Sequence, residues 1–115
     1  MIRATFYENK NGKLQGFLVR GHAGYDPTGE DIVCAGVSAL VQTAAAGLKC
    51  FLSQEPLVKD RTKDLCDVFV KLMLPEDLTE EEKNTAQVIL KTMELGMRGI
   101  AASYGRYLEV RRCCK

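Results

Sequence analysis

The sequence predicts an α+β, two-layer domain: an antiparallel or mixed sheet that starts with a β-hairpin and is packed by two helices, in the order ββαβαβ. Three observations carry that expectation. Residues 2–8 alternate Ile2, Ala4 and Phe6 with Arg3, Thr5 and Tyr7, and a second strand-like run follows a turn. Two long helical stretches stand well apart, one rich in small residues and one amphipathic. Strand–helix–strand repeats are few, which disfavours a doubly wound parallel sheet.

Each element has its own signal. Asn9 to Lys13 form the first turn, where Asn11-Gly12 supplies the positive φ that a tight hairpin uses. The second strand, 14–20, places Phe17 and Val19 on one face and Leu14 and Leu18 on the other. Residues 21–31 hold three glycines and one proline and read as a loop. Asp31 is then the expected N-cap of a helix that runs to about Ser53. Its small residues, from Ala35 and Gly36 to Ala44, Ala45, Ala46 and Gly47, predict close packing, and Pro56 lies just past its end.

Lys59 to Asp64 contains no apolar residue and reads as a charged connector. A strand at 65–74 sets Cys66, Val68, Val70, Leu72 and Leu74 on one face. Phe69 and Met73 opposite them suggest partial burial there too, by a loop or a second subunit. Thr79 followed by Glu80, Glu81 and Glu82 is a capping box, and a helix of about 80–103 follows. Its stripe is Ala86, Ile89 or Leu90, Met93, Met97 and Ile100. Tyr107 to Val110 make a short last strand before a basic tail, expected to be solvated and to fray at Cys113-Cys114.

Bulk properties bound the function. At 115 residues the chain is expected to be a single domain spanning 1–115, and 46% hydrophobic with 27% charged is ordinary for a globular protein. Sixteen basic and fifteen acidic side chains leave a net charge of +1, so no direct nucleic-acid site and no membrane partner are predicted. No secretory h-region opens the chain and no apolar run reads as a membrane span, which predicts a cytoplasmic protein. Five cysteines there should be reduced thiols. One histidine and no Cys-x-x-Cys spacing argue against a metal site. Without a glycine-rich phosphate loop, no cofactor is expected either.

Chemistry concentrates in residues 21–38, Gly-His-Ala-Gly-Tyr-Asp-Pro-Thr-Gly-Glu-Asp-Ile-Val-Cys-Ala-Gly-Val-Ser. If Asp31 is the N-cap, Cys34 is the third helical residue, where the helix dipole favours thiolate and unpaired amides could hold an oxyanion. His22, the sole histidine, lies twelve residues upstream and could serve as the base. Each residue alone has a bland reading, Cys34 as a buried inert thiol and His22 as a polar strand end. Their combination across a long glycine-containing loop points to a Cys/His nucleophilic site. Asp31 either orients the imidazole or simply caps the helix. Ser38, one turn after Cys34, either hydrogen-bonds near the site or back-bonds to its own helix.

These residues resemble a known family. Gly21-His22-Ala23-Gly24, then Gly29 to Ala35 with Asp31-Ile32-Val33-Cys34, then Val37-Ser38-Ala39-Leu40 are similar to the signature of the ribosomal-processing cysteine proteases called Prp. The resemblance implies a homodimeric α+β endopeptidase that removes a short N-terminal leader from ribosomal protein twenty-seven of the large subunit. It implies His22 and Cys34 as the catalytic pair and Gly21 as a hinge. A mobile loop is implied over Tyr25, Asp26, Pro27, Thr28, Gly29 and Glu30, with Gly24 beside it. Two rival readings of the residues are a non-catalytic ribosome-assembly factor that holds a peptide in the same groove and a thiol acyltransferase.

Overall fold

Residues 2–8 form β1 (Ile2–Glu8), joined through the Asn9 turn to β2 (Leu14–His22). The Asn9 side chain accepts from the amides of Asn11 and Lys13 at 2.9 and 3.0 Å, and Gly12 takes the expected positive φ of 76°. After α1 (Pro27–Phe51) come β3 (Leu57–Asp60), β4 (Asp67–Met73), α2 (Glu80–Ser103) and β5 (Leu108–Cys114). This computed structural model describes residues 1–22, 27–64 and 67–114, excluding the side chains of 27–31. Among the described residues the architecture is two helices on a five-stranded mixed sheet, an α+β fold.

Strand order is β3-β4-β2-β1-β5. Neighbours are antiparallel except β1 and β5, which run parallel. One face of this sheet is the core. Ile2, Ala4, Phe6, Phe17, Val19 and Leu72 are buried there with Val33, Val37 and Leu48 of α1 and Ala86, Leu90 and Met97 of α2. The Phe6 and Phe17 rings sit 6.2 Å apart in a tilted pair.

Several expectations need correction. The connector at Lys59 is part of a strand, so the order is ββαββαβ. β3 has only four residues, all exposed, and pairs Leu57 with Met73 and Asp60 with Val70. Its pairing, and not burial of Leu57 or Val58, makes it a strand. The tail does not fray as expected: Arg111 to Cys114 continue β5 alongside Thr5 to Glu8. Leu14 lies on the core face with Phe17, not with Leu18, because the register shifts between Tyr7 and Glu8 and Gln15 is the extra residue. The Gln87 side chain meets the backbone that this bulge frees: it accepts from the Leu14 amide at 2.8 Å and donates to the Leu14 carbonyl at 2.7 Å.

Most consequential, α1 starts at Pro27 and not after Asp31. Proline suits a first helical position because its φ is preset and no amide hydrogen is needed there. Against expectation, Ile32–Phe51 is also long and apolar enough to cross a membrane, with a mean hydropathy of 1.5. In this fold that helix packs Val33, Val37, Val41, Ala44 and Leu48 against the core.

α2 is fastened at its start and again past its middle. Its capping box forms as expected: Thr79 Oγ1 accepts from the Glu82 amide and Glu82 accepts from the Thr79 amide. Glu82 also accepts from the Ser53 amide beyond α1, and these bonds hold its carboxyl down to about 2. Further along, Glu94 is 5% exposed and receives Arg112 Nε and Nη2, both at 2.8 Å, while Arg98 donates from one turn away. Arg112 also reaches Glu8 at 3.3 Å, so β5, β1 and α2 share one charge cluster.

The Arg112 hydrogen bonds, with help from Arg98, hold the Glu94 carboxyl below its ordinary value of 4.5. Its stabilisation is therefore present above that value and lost as pH falls through the lower folded-state one. Glu94→Gln should cost about 2 kcal/mol at neutral pH, a buried-pair loss discounted for the partly exposed arginine. Thermal melts at pH 7 and pH 3 should show the wild-type advantage shrinking in acid.

Candidate active site

The β2–β4 register builds the first half of the site. It pairs Gly21 with Val68 and His22 with Asp67 at the end of both strands. Gly21 is paired on its other side with Ile2, and its φ is 148°. A Cβ there would collide with the Met1 carbonyl oxygen and the Ile2 Cα. Close approach of β1 is thus a structural reason for glycine at the position expected to be a hinge. The Met1 ammonium then donates to the His22 carbonyl at 3.0 Å, tying down the backbone beneath the imidazole.

His22 continues the alternation of Leu18 and Arg20 onto the solvent face, and its side chain is 80% exposed. Its Nδ1 lies 3.5 Å from an Asp67 carboxylate oxygen, which is about one-third exposed. Sequence reasoning missed Asp67. The only available signal was its place at the start of a strand run, and pairing it with His22 requires the β2–β4 register. Around the two lies a shallow cavity of about 300 Å³, also lined by Met1, Arg3, Arg20 and Phe69.

Cys34 occupies a different environment. It is the eighth residue of α1, is 1% exposed and belongs to the core cluster with Val33 and Val37. Two turns inside the helix, the end-of-helix field has largely decayed and the amides of Ile32, Val33 and Cys34 are no longer unpaired donors. The expected dipole and oxyanion contributions at those positions are therefore corrected. Asp31 is the fifth residue of α1, so it does not cap it; its side chain lies outside the described residues. Ser38 accepts a 2.9 Å hydrogen bond from Gln42 Nε2 on its own helix.

The expected loop divides into two parts. Ala23, Gly24, Tyr25 and Asp26 lie outside the described residues, while Pro27, Thr28, Gly29 and Glu30 are the first four residues of α1. Of the other thiols, Cys50, Cys113 and Cys114 are exposed, and Cys66 lies outside the described residues. Among the described residues no group of three His, Cys, Asp or Glu side chains could hold a metal ion.

An imidazole beside a carboxylate, joined through a short segment to a core thiol, suits nucleophilic cysteine chemistry once the thiol is uncovered. Comparison with known proteins gives the family. The sequence model of a family described as Cysteine protease Prp matches residues 1–109. A Bacillus subtilis protein named ribosomal processing cysteine protease Prp is 31% identical over 110 residues, covering 96% of each chain. Among solved structures, a Streptococcus mutans protein superposes with a TM-score of 0.79 at 25% identity, covering 100% of this chain and 96% of its own. An essential ribosomal processing protease Prp from S. aureus, in complex with a substrate peptide, gives a TM-score of 0.77 at 25% identity, covering 98% and 100%.

Proposed function

We propose that this chain, which belongs to the cysteine protease Prp family and is a cysteine protease, removes the N-terminal extension of ribosomal protein twenty-seven of the large subunit in the cytoplasm. The observation that carries the site assignment is the placement of the sole histidine on the last residue of β2 and of one thiol on the eighth residue of α1, the next element of the chain. Family membership sets aside the non-catalytic peptide binder.

In the proposed reaction Cys34 Sγ attacks the carbonyl carbon of the scissile bond, and its proton passes to His22 Nε2. Collapse of the tetrahedral intermediate breaks the C–N bond, and His22 returns the proton to the departing amine. The leader stays on Cys34 as a thioester. Water then attacks that thioester, giving its proton to His22, and releases the leader as a carboxylic acid with the thiol restored. Asp67 accepts from the Nδ1–H of His22, which directs Nε2 toward the reacting atoms.

A thiol that is 1% exposed and an imidazole that is 80% exposed must be brought together by substrate. We propose Tyr25–Glu30 as a lid ordered by substrate; Tyr25 and Asp26 lie outside the described residues. Leader binding supplies the free energy for that step, a use of binding energy that ties rate to substrate identity.

We also propose a homodimer formed through the helical layer. Phe51 and Val88 are each 65% exposed and Leu95 is 71% exposed. With Leu40, Ala44 and Ile89, the first two line an apolar groove of about 290 Å³ between α1 and α2.

Cys34→Ala and His22→Ala should each abolish cleavage of a leader peptide while circular dichroism stays native. Cleavage near the wild-type rate by either would overturn the assignment. Asp67→Asn should lower kcat by about 10- to 100-fold with little change in KM, a smaller loss than removing the imidazole, and Asp67→Glu should recover part of it. An unchanged kcat would remove Asp67 from the mechanism. Sedimentation equilibrium should give a dimer that Val88→Glu converts to monomer; a Val88→Glu dimer would place the interface elsewhere.

A further inference from the structure

The net charge of +1 conceals an asymmetric sheet. Register sets Arg3, Arg20, Lys59, Lys71 and Arg111 on the solvent face, and Arg61, just past β3, joins them beside Phe69. Among the described strand residues only two carboxylates share that face. Glu109 lies 3.8 Å from Arg3, and Asp67 is beside His22. Six cations therefore spread over all five strands against these two carboxylates and Asp64, whose backbone bridges to Asp67 just past β3.

The same face carries aromatic rings between the charges. The guanidinium carbons of Arg20 and Arg61 lie 5.5 and 5.7 Å from the centroid of half-buried Phe69. Lys71 Nζ lies 5.7 Å from the Tyr7 ring. Cations interleaved with rings on an open sheet meet both needs of a single strand: phosphates are neutralised, and unpaired bases find flat surfaces to stack on. A second copy of this chain suits the face poorly, because a two-fold contact would set like charges against each other. A basic polypeptide is repelled for the same reason, and an acidic one uses the charges but not the rings.

We propose that the solvent face of this sheet binds single-stranded RNA, with phosphates on Lys59, Arg61, Lys71 and Arg111 and bases on Tyr7 and Phe69. His22 stands at one end of this face, so bound RNA would lie beside the proteolytic site. The protease would then act on a substrate carried by a ribonucleoprotein particle. That use rests on the proposed ribosomal substrate, whereas RNA binding itself does not.

Fluorescence anisotropy of a fluorescein-labelled 20-nucleotide single-stranded RNA tests the proposal with the full chain between 50 and 300 mM KCl. Saturable binding is expected, with a log–log salt slope of about −0.7 for each cation engaged. The triple variant K59Q/R61Q/K71Q should bind at least tenfold more weakly with a slope reduced by about 2. Its melting temperature and leader-peptide cleavage should be retained. Phe69→Ala should weaken binding without changing the slope. No saturable binding at 50 mM KCl, or wild-type binding by the triple variant, would overturn the proposal. So would displacement of the RNA by polyglutamate at equal charge concentration, or binding to anionic lipid vesicles in its place. A wild-type chain that binds RNA but does not cleave the leader peptide would count against the proteolytic reading and not this one.

Discussion

The register of β2 against its two neighbours governs what the rest of the molecule can be. Side chains alternate along a strand, so a slip of one residue would exchange the core and solvent faces. That register is fixed at both ends of the strand. At one end Gly21 lets β1 approach more closely than any side chain would allow; at the other, the extra residue Gln15 returns Leu14 to the core, with Gln87 holding the backbone that is freed. Phe17 and Val19 accordingly meet the helices, while Arg20, His22, Asp67 and Phe69 meet solvent.

The proposed catalysis inherits this division. β2 carries the imidazole outward, and α1, packed on the opposite face, carries the thiol inward. The two groups proposed to exchange a proton are thus built on different layers of the domain. In the proposed mechanism the site is inactive until substrate binding assembles it, which protects the thiol and makes proteolysis depend on recognition. Below this, the Glu94–Arg112 cluster and the Glu82 bonds to Ser53 and Thr79 hold α2 in place.

Elements with local signals could be read from the sequence. The capping box at Thr79 and Glu82 marks the start of α2, and alternation marks β1 and most of β4. Elements defined by distant partners could not. β3 is a four-residue exposed edge that exists through its pairing with β4, and the second half of β5 is fixed by β1, more than a hundred residues away. The proline, threonine and glycine at 27–29 suggested a loop, but α1 begins there. Among site residues, His22 and Cys34 stand out by scarcity and spacing, whereas Asp67 gains meaning only from its strand partner. Charge behaved the same way: the chain's total is almost neutral, and the basic face appears only once the register sorts side chains by layer.

Selective labelling of Cys34 tests the central claim, that substrate assembles the catalytic pair from a buried thiol and an exposed imidazole. Iodoacetamide and a chloromethyl ketone carrying the leader residues that precede the scissile bond would be compared by peptide mass spectrometry. The account predicts that iodoacetamide alkylates the exposed Cys50 far faster than Cys34. The peptidyl reagent should instead modify Cys34 selectively, and much more slowly in His22→Ala. Equal alkylation of Cys34 and Cys50 by iodoacetamide, or failure of the peptidyl reagent to reach Cys34, would contradict it.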